Sequence, residues 1–197
     1  MSYFSREHAN EFVHFLSRQS GSDGRANLAE LRRAAADPLH DFRDIRILGD
    51  RLSDVDFIFD AQRLTAALFA LFATKHWSSN NQLKLPRFAE GERRQSMGAS
   101  LRKLKSQIKG GEDSLDKRFS ALLDTPREDL AVPLRGLIQR IATADRPIPI
   151  NFQRLLTHLV YWDQDDNRLT WAKDYWQATA AIDDSTGEAI ATGESTN

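Results

Sequence analysis

Apolar residues along this chain recur at intervals of three and four, and no run alternates long enough to mark a strand. Phe4, Phe12, Phe15 and Leu16 define a first amphipathic helix, which stops at the polar run SRQSGSDG, where two glycines interrupt the pattern. A second, short helix covers residues 26–36 with Leu28 and Leu31 inward. After Pro38, the segment HDFRDIRIL supplies one or two helical turns. Asp54 is suited to cap a long helix that reaches about residue 76, with Asp56 opposing its dipole. Leu64, Ala66, Ala67, Leu68, Phe69, Ala70, Leu71 and Phe72 leave that helix almost no polar side, which assigns it to the centre of the fold. Trp77 closes it, SSNNQ forms a polar loop, and LKLPRFAEGERR leads onward.

Ser96 is placed to start the next helix, with Met97, Leu101, Leu104 and Ile108 on one side and Arg102, Lys105, Ser106 and Lys109 on another. Gly110 and Gly111 stop it, and Asp113 or Ser114 caps a helix that turns Leu115, Phe119, Leu122 and Leu123 inward. Past Pro126, the residues Leu130, Leu134, Leu137, Ile138 and Ile141 make a helical stripe. ADRPIPI is extended because proline disfavours helix in the residue before it. Phe152, Leu155, Leu156, Leu159 and Val160 mark a further helix, and Trp171, Tyr175 and Trp176 a last one. The expected fold is all-α: a compact bundle of about eight helices with short loops and no sheet, filling residues 1–181 as one domain or two packed lobes. Residues 182–197 are acidic, small and polar, the composition of a flexible tail.

Charge adds a feature that hydropathy does not show. The chain carries a net charge of −1, but residues 84–118 hold ten Lys or Arg against five acids, while residues 155–197 carry −6. A pI near 6.5 argues against a strong solitary nucleic-acid binder and leaves room for a basic patch that works inside an assembly. On charge alone, an anion-binding face and an ordinary solvated face are equally compatible with this stretch. With no cysteine, disulfides and thiolate-ligated metals are excluded, and a reducing cytoplasm is the natural setting. No apolar run has membrane-spanning length, and MSYFSREHANEF is too polar for a signal peptide.

Catalytic chemistry has no good candidates. His8, His14, His40, His76 and His158 are scattered without an i,i+4 pair, and the phosphate-loop pattern GxxxxGK[ST] is absent. Asp163, Asp165, Asn167 and Asp174 have a calcium-like spacing, but Arg168 stands where the loop needs glycine and Trp171 stands at the ninth place. Asp113, Asp116 and Lys117 lack the third ligand and strand scaffold of a two-metal nuclease. No enzyme activity, metal or cofactor is expected.

Four ordered blocks carry a resemblance: GERRQSMGASLRKL, SLDKRFSALLDTPREDLAVPLRGLI, PINFQRLLTHLVYW and WAKDYW. Together they resemble the CasB family, the small subunit of the type I-E CRISPR surveillance complex Cascade, over roughly residues 32–176. The resemblance implies a helical, catalytically inert protein, present as two copies beside the crRNA-bearing backbone. It also implies as partners the large subunit, the crRNA backbone subunits, the crRNA endonuclease, crRNA, target DNA and a second copy of the chain, with no membrane. Its basic face is implied to hold the displaced DNA strand and stabilise the R-loop, with cleavage left to a recruited helicase-nuclease.

Carried over by motif, the phosphate contacts implied are Arg93, Arg94, Arg102, Lys103, Lys105 and Arg118, with Arg32, Arg33 and Arg135 behind them. Lys103 is the weaker member because it turns away from the Arg102 face. The aromatics Phe59, Phe69, Phe72, Phe119, Trp171 and Trp176 fall at core spacing, so contact is expected through the nucleic-acid backbone and without sequence preference. A second reading uses the same face differently, as a helical adaptor that meets only an acidic protein partner.

Overall fold

The computed structural model describes residues 4–19, 21–34, 42–90, 92 and 95–177. Nine α-helices lie among them: α1 (Arg6–Ser17), α2 (Gly21–Ala34), α3 (Arg43–Leu48), α4 (Asp56–Ala73), α5 (Met97–Lys105), α6 (Glu112–Leu123), α7 (Ala131–Ala142), α8 (Phe152–Val160) and α9 (Asp165–Trp176). The extended pairing among the described residues is a single antiparallel bridge between Trp77 and Leu83, which closes the polar loop after α4. Residues 182–197 and His40 lie outside the described residues.

Helix α4 is the axis of the molecule, packing against α2, α7 and α8. Its Ala66, Leu68, Phe69, Ala70 and Phe72 are all essentially inaccessible, as the apolar run predicts. Each fully buried Leu or Phe of this kind contributes about 1.5–3 kcal/mol of transfer free energy. Helix α5 packs mainly against α9 and also touches α7, while α1 lies on α8.

Local rules predicted some boundaries and missed others. α1 opens with a capping box: the Ser5 hydroxyl accepts from His8 N, and His8 Nδ1 accepts from Ser5 N. α2 begins at Gly21, five residues before the apolar pattern suggests. Gly21 sits at φ +72°, a conformation that favours glycine, and a Cβ on Gly24 would stand 2.6 Å from the Gln19 carbonyl carbon. Both glycines therefore admit the helix rather than break it.

Helix α4 starts at Asp56, not after an Asp54 cap, because Gln62 holds the approach in place. Its carbonyl accepts from Ser53 N at 2.8 Å and its amide donates to Arg51 O at 2.9 Å. The N-terminal position falls to Val55, which has no capping side chain. α6 likewise starts at Glu112 behind Gly111, ahead of a cap by Asp113 or Ser114.

Candidate nucleic-acid interface

Helix α5 carries the basic face, and its position follows from small residues on its other side. Ser96 caps it, with its hydroxyl accepting from Gly98 N at 3.2 Å, and the Ser96 amide donates to Asp174 Oδ2 of α9 at 3.1 Å. A Cβ on Gly98 would stand 2.0 Å from the Trp171 carbonyl oxygen, so α5 and α9 cross where only glycine fits. Ser100 Oγ donates to Pro149 O at 2.8 Å, in the extended ADRPIPI connector. With Met97, Leu101 and Leu104 buried, the cations of α5 must turn outward.

Two of those cations meet carboxylates. Lys103 Nζ lies 2.6 Å from Glu92 Oε2, and Lys105 Nζ lies 2.7 Å from Asp116 Oδ2 on α6. The other oxygen of Asp116 accepts from the Tyr175 hydroxyl of α9 at 2.5 Å, and Lys105 Nζ stands 5.5 Å from the Tyr175 ring. Lys105, Asp116 and Tyr175 thus tie three helices together at one point. The Lys103 ammonium holds Glu92 below the ordinary carboxylate range, and Lys105, helped by Tyr175, does the same to Asp116. Burial, and then the Asp116 carboxylate, push the Tyr175 phenol up. Arg102 Nη1 donates to Gln177 O at 2.5 Å, beyond the end of α9.

Further along, Lys109, Lys117 and Arg118 are exposed and form no ion pair among the described residues. Lys117 and Arg118 line an open depression with Gly110, Gly111, Asp113 and Ser114. Arg118 shares α6 with Asp116 but stands two positions further on, about 200° around the helix, so the Lys105–Asp116 pair does not bring it to the α5 cations. Arg135 is exposed on α7, away from that helix's buried stripe of Leu134, Leu137, Ile138 and Ile141. Arg32 and Arg33 are exposed at the end of α2, which packs on α3 and on α4, whose next neighbour is α7. Arg93 and Arg94 lie outside the described residues.

Trp176 departs from the expectation drawn from spacing. It is 49% exposed, whereas Trp162 and Trp171 are 1% and 0% exposed. Trp176 is the last residue of α9, where the helix runs past the apolar surface that covers Trp171 and Tyr175. The partners that organise the site, Glu92, Asp116 and Tyr175, lie outside the set of residues that the motifs imply for binding. They join residues 11 to 59 positions apart, across loops, so no helical period announces them.

The acids of the calcium-like spacing have other tasks. Asp163 Oδ2 pairs with Arg127 at 2.6 Å, Asp165 pairs with Arg168, and Asp174 receives the Ser96 amide. Among the described residues, no group of three or more His, Cys, Asp or Glu could hold a metal ion. A cleft of about 420 Å³ between α1 and the start of α4 includes His8 and Glu11, but His8 Nδ1 is engaged in the α1 capping box. His158 is buried: the Trp171 indole donates to its Nδ1 at 2.5 Å, and burial, then the nearby Arg154, lower its pKa to about 4. No helix among the described residues is long and apolar enough to cross a membrane.

Comparison with known proteins adds a family to this geometry. Residues 27–176 match the family model described as CRISPR-associated protein Cse2. No protein with a curated description matches the chain. Among solved structures, CasB from M. ruber is 25% identical with a TM-score of 0.62, covering 88% of this chain and 94% of its own. CasB from Thermus thermophilus is likewise 25% identical, with a TM-score of 0.62 over 86% of this chain and 98% of its own. A second Thermus thermophilus structure, of a Cse2-family CRISPR-associated protein 24% identical to this chain, has the same fold with a TM-score of 0.63 over 86% of this chain and 98% of its own. With a family match that spans 150 of its 197 residues and the whole of helices α3 to α9, this chain belongs to the CRISPR-associated Cse2 family, the CasB family of structural subunits of type I-E Cascade.

Proposed function

We propose that this protein is a non-catalytic subunit whose basic face holds the sugar-phosphate backbone of target DNA, the displaced strand in particular, and so stabilises the crRNA-guided R-loop. The observation that carries the reading is the exposed set Lys109, Lys117 and Arg118, the last two lining one open depression with Gly110 and Gly111 at the start of α6. Cations of this kind neutralise phosphates without reading bases, and each contact releases counterions. Exchanging DNA–DNA for RNA–DNA pairing is nearly balanced in free energy, so a few backbone contacts suffice to tip it. Arg93, Arg94, Lys103, Lys105, Arg32, Arg33 and Arg135 extend the same role, the two lysines with part of their charge already answered by Glu92 and Asp116. Its partners in this reading are the large subunit, the crRNA backbone subunits, the crRNA endonuclease and a second copy of itself, in the cytoplasm.

The test is target-DNA binding by the assembled complex carrying Lys109→Glu, Lys117→Glu and Arg118→Glu together. We expect weaker binding at every salt concentration and a log–log salt slope shallower by about 2, from roughly 0.7 per single-strand phosphate contact. Unchanged affinity and slope would overturn the reading. The second reading is a helical, protein-only adaptor that presents the same exposed cations to an acidic protein partner. An adaptor predicts DNA binding by the complex that is indifferent to these three charges.

A further inference from the structure

Several large apolar side chains stand at the surface, and most have a cation over them or lie away from the basic junction. Phe57 has the Arg127 guanidinium 5.5 Å from its ring centre, and Phe42 has that of Arg63 at 5.8 Å. Trp176 has no such cation over its face among the described residues, and half its surface is open. Its inner side is braced instead. The ring meets Phe119 at 5.2 Å between centroids and Tyr175 edge-on at 5.1 Å and 89°. Phe119 is fully buried and Tyr175 is anchored by its hydroxyl to Asp116, so the indole rests on a rigid support.

Three cations touch or adjoin the residues that flank or support that indole. Arg102 holds the carbonyl of the very next residue, Gln177, at 2.5 Å. Lys105 stands 5.5 Å from the ring of the preceding residue, Tyr175. Arg118 is exposed and adjacent in chain to Phe119, on which the indole leans. A braced, half-exposed aromatic ring with cations on the residues next to it offers the two elements that hold single-stranded nucleic acid: positive charge for the phosphates and a π surface for a base.

We infer that Trp176 is a stacking platform for one unpaired base of a single strand held on the α5–α6–α9 junction. The inference rests on the backbone-holding reading above and adds to it a contact that spacing alone argued against. Base stacking of this kind tolerates any sequence, because every base presents a π face. It follows that contact is not made through phosphates alone, and that a strand without bases is held less well.

The experiment uses the full chain at low salt with a twelve-residue oligothymidylate and an abasic oligonucleotide of equal length and charge. Tryptophan fluorescence and binding are both followed, for wild type, Trp176→Phe and Trp176→Leu. Oligothymidylate should quench part of the wild-type emission, and that part should be missing in Trp176→Phe, which keeps a stacking ring and most of the affinity. Trp176→Leu should bind oligothymidylate roughly tenfold more weakly, the size expected for one stacked base, and the abasic strand as wild type does. Equal wild-type affinity for both strands, or quenching that persists in Trp176→Phe, would overturn the stacking role while leaving the phosphate contacts standing. Absence of salt-sensitive binding to either strand would overturn the stacking role, while the phosphate contacts are decided separately by the charge-reversal test in the assembled complex. If Trp176→Leu fails to fold, the two strands and Trp176→Phe decide the question alone.

Discussion

Gly98 lies so close to Trp171 that a Cβ on it would meet the Trp171 carbonyl oxygen at 2.0 Å, far inside any real contact. The obstacle is backbone rather than a flexible side-chain end, so Gly98→Ala forces α5 away from α9. Overpacking of this kind costs about 3 kcal/mol, which for a chain of this size lowers Tm by roughly 10 °C. Gly136 on α7 is the control, because a Cβ there meets nothing within 4 Å. Gly136→Ala should raise stability by about 0.5–1 kcal/mol. Thermal melts of the two variants check the pair.

His158 and Trp171 predict a pH dependence. The indole can only donate, so His158 Nδ1 must keep its lone pair, and protonation there breaks the 2.5 Å bond that joins α8 to α9. The folded pKa is depressed to about 4 from an ordinary 6.5, so between those values the unfolded chain binds the extra proton. The contribution is therefore present above pH 6.5 and is lost as pH falls through about 4. The loss amounts to about 3 kcal/mol, because each tenfold difference in proton affinity is worth roughly 1.4 kcal/mol. In urea titrations at pH 7 and pH 4, His158→Gln should lose that much less stability on acidification than wild type. An equal acid loss in the two proteins would contradict the assignment.

The Lys105–Asp116 pair sets stability against free positive charge on α5. Their pair is about one-third exposed, so Asp116→Asn costs roughly 1 kcal/mol, taken with the altered hydrogen bond from Tyr175. The same change frees the Lys105 ammonium and removes a negative charge from the basic face. If that face holds phosphates, Asp116→Asn should tighten single-strand binding by the complex and steepen its salt slope by about 0.7. Salt titration of the variant complex measures this, and a weaker-binding variant would count against the phosphate-holding face.

Asp44 and Arg63 form a buried bidentate pair, with Nε to Oδ2 at 2.7 Å and Nη2 to Oδ1 at 3.1 Å, holding α3 on α4. Asp44→Ala leaves a buried guanidinium without its carboxylate and should cost about 3–5 kcal/mol. The apolar double replacement Asp44→Leu with Arg63→Met should recover most of that loss, because it removes both charges from the interior. Chemical unfolding of the single and double variants tests the difference.

The relation of sequence to structure differs from element to element. The apolar run of α4, the stripe of α7 and the Ser96 cap were all legible, because each is set by neighbours within four residues. The early start of α2 and the Val55 start of α4 were not. Gly24 fits against Gln19, and Gln62 holds the backbone of Arg51 and Ser53, contacts that override local propensity.

By itself, the sequence determined an all-helical chain, a basic stretch between residues 84 and 118, and the family its blocks resemble. Only the tertiary structure decided which of those cations stand apart and which are answered. Lys103 and Lys105 meet Glu92 and Asp116, while Lys117 and Arg118 face outward. It also decided that Trp176, spaced like a core residue, remains half open. The reason is physical: helical periodicity tells which side of a helix is apolar, but where an apolar side ends depends on how far the neighbouring helix extends to cover it. Charge pairing likewise depends on distances across loops, which are set by position in space and not by position in the chain.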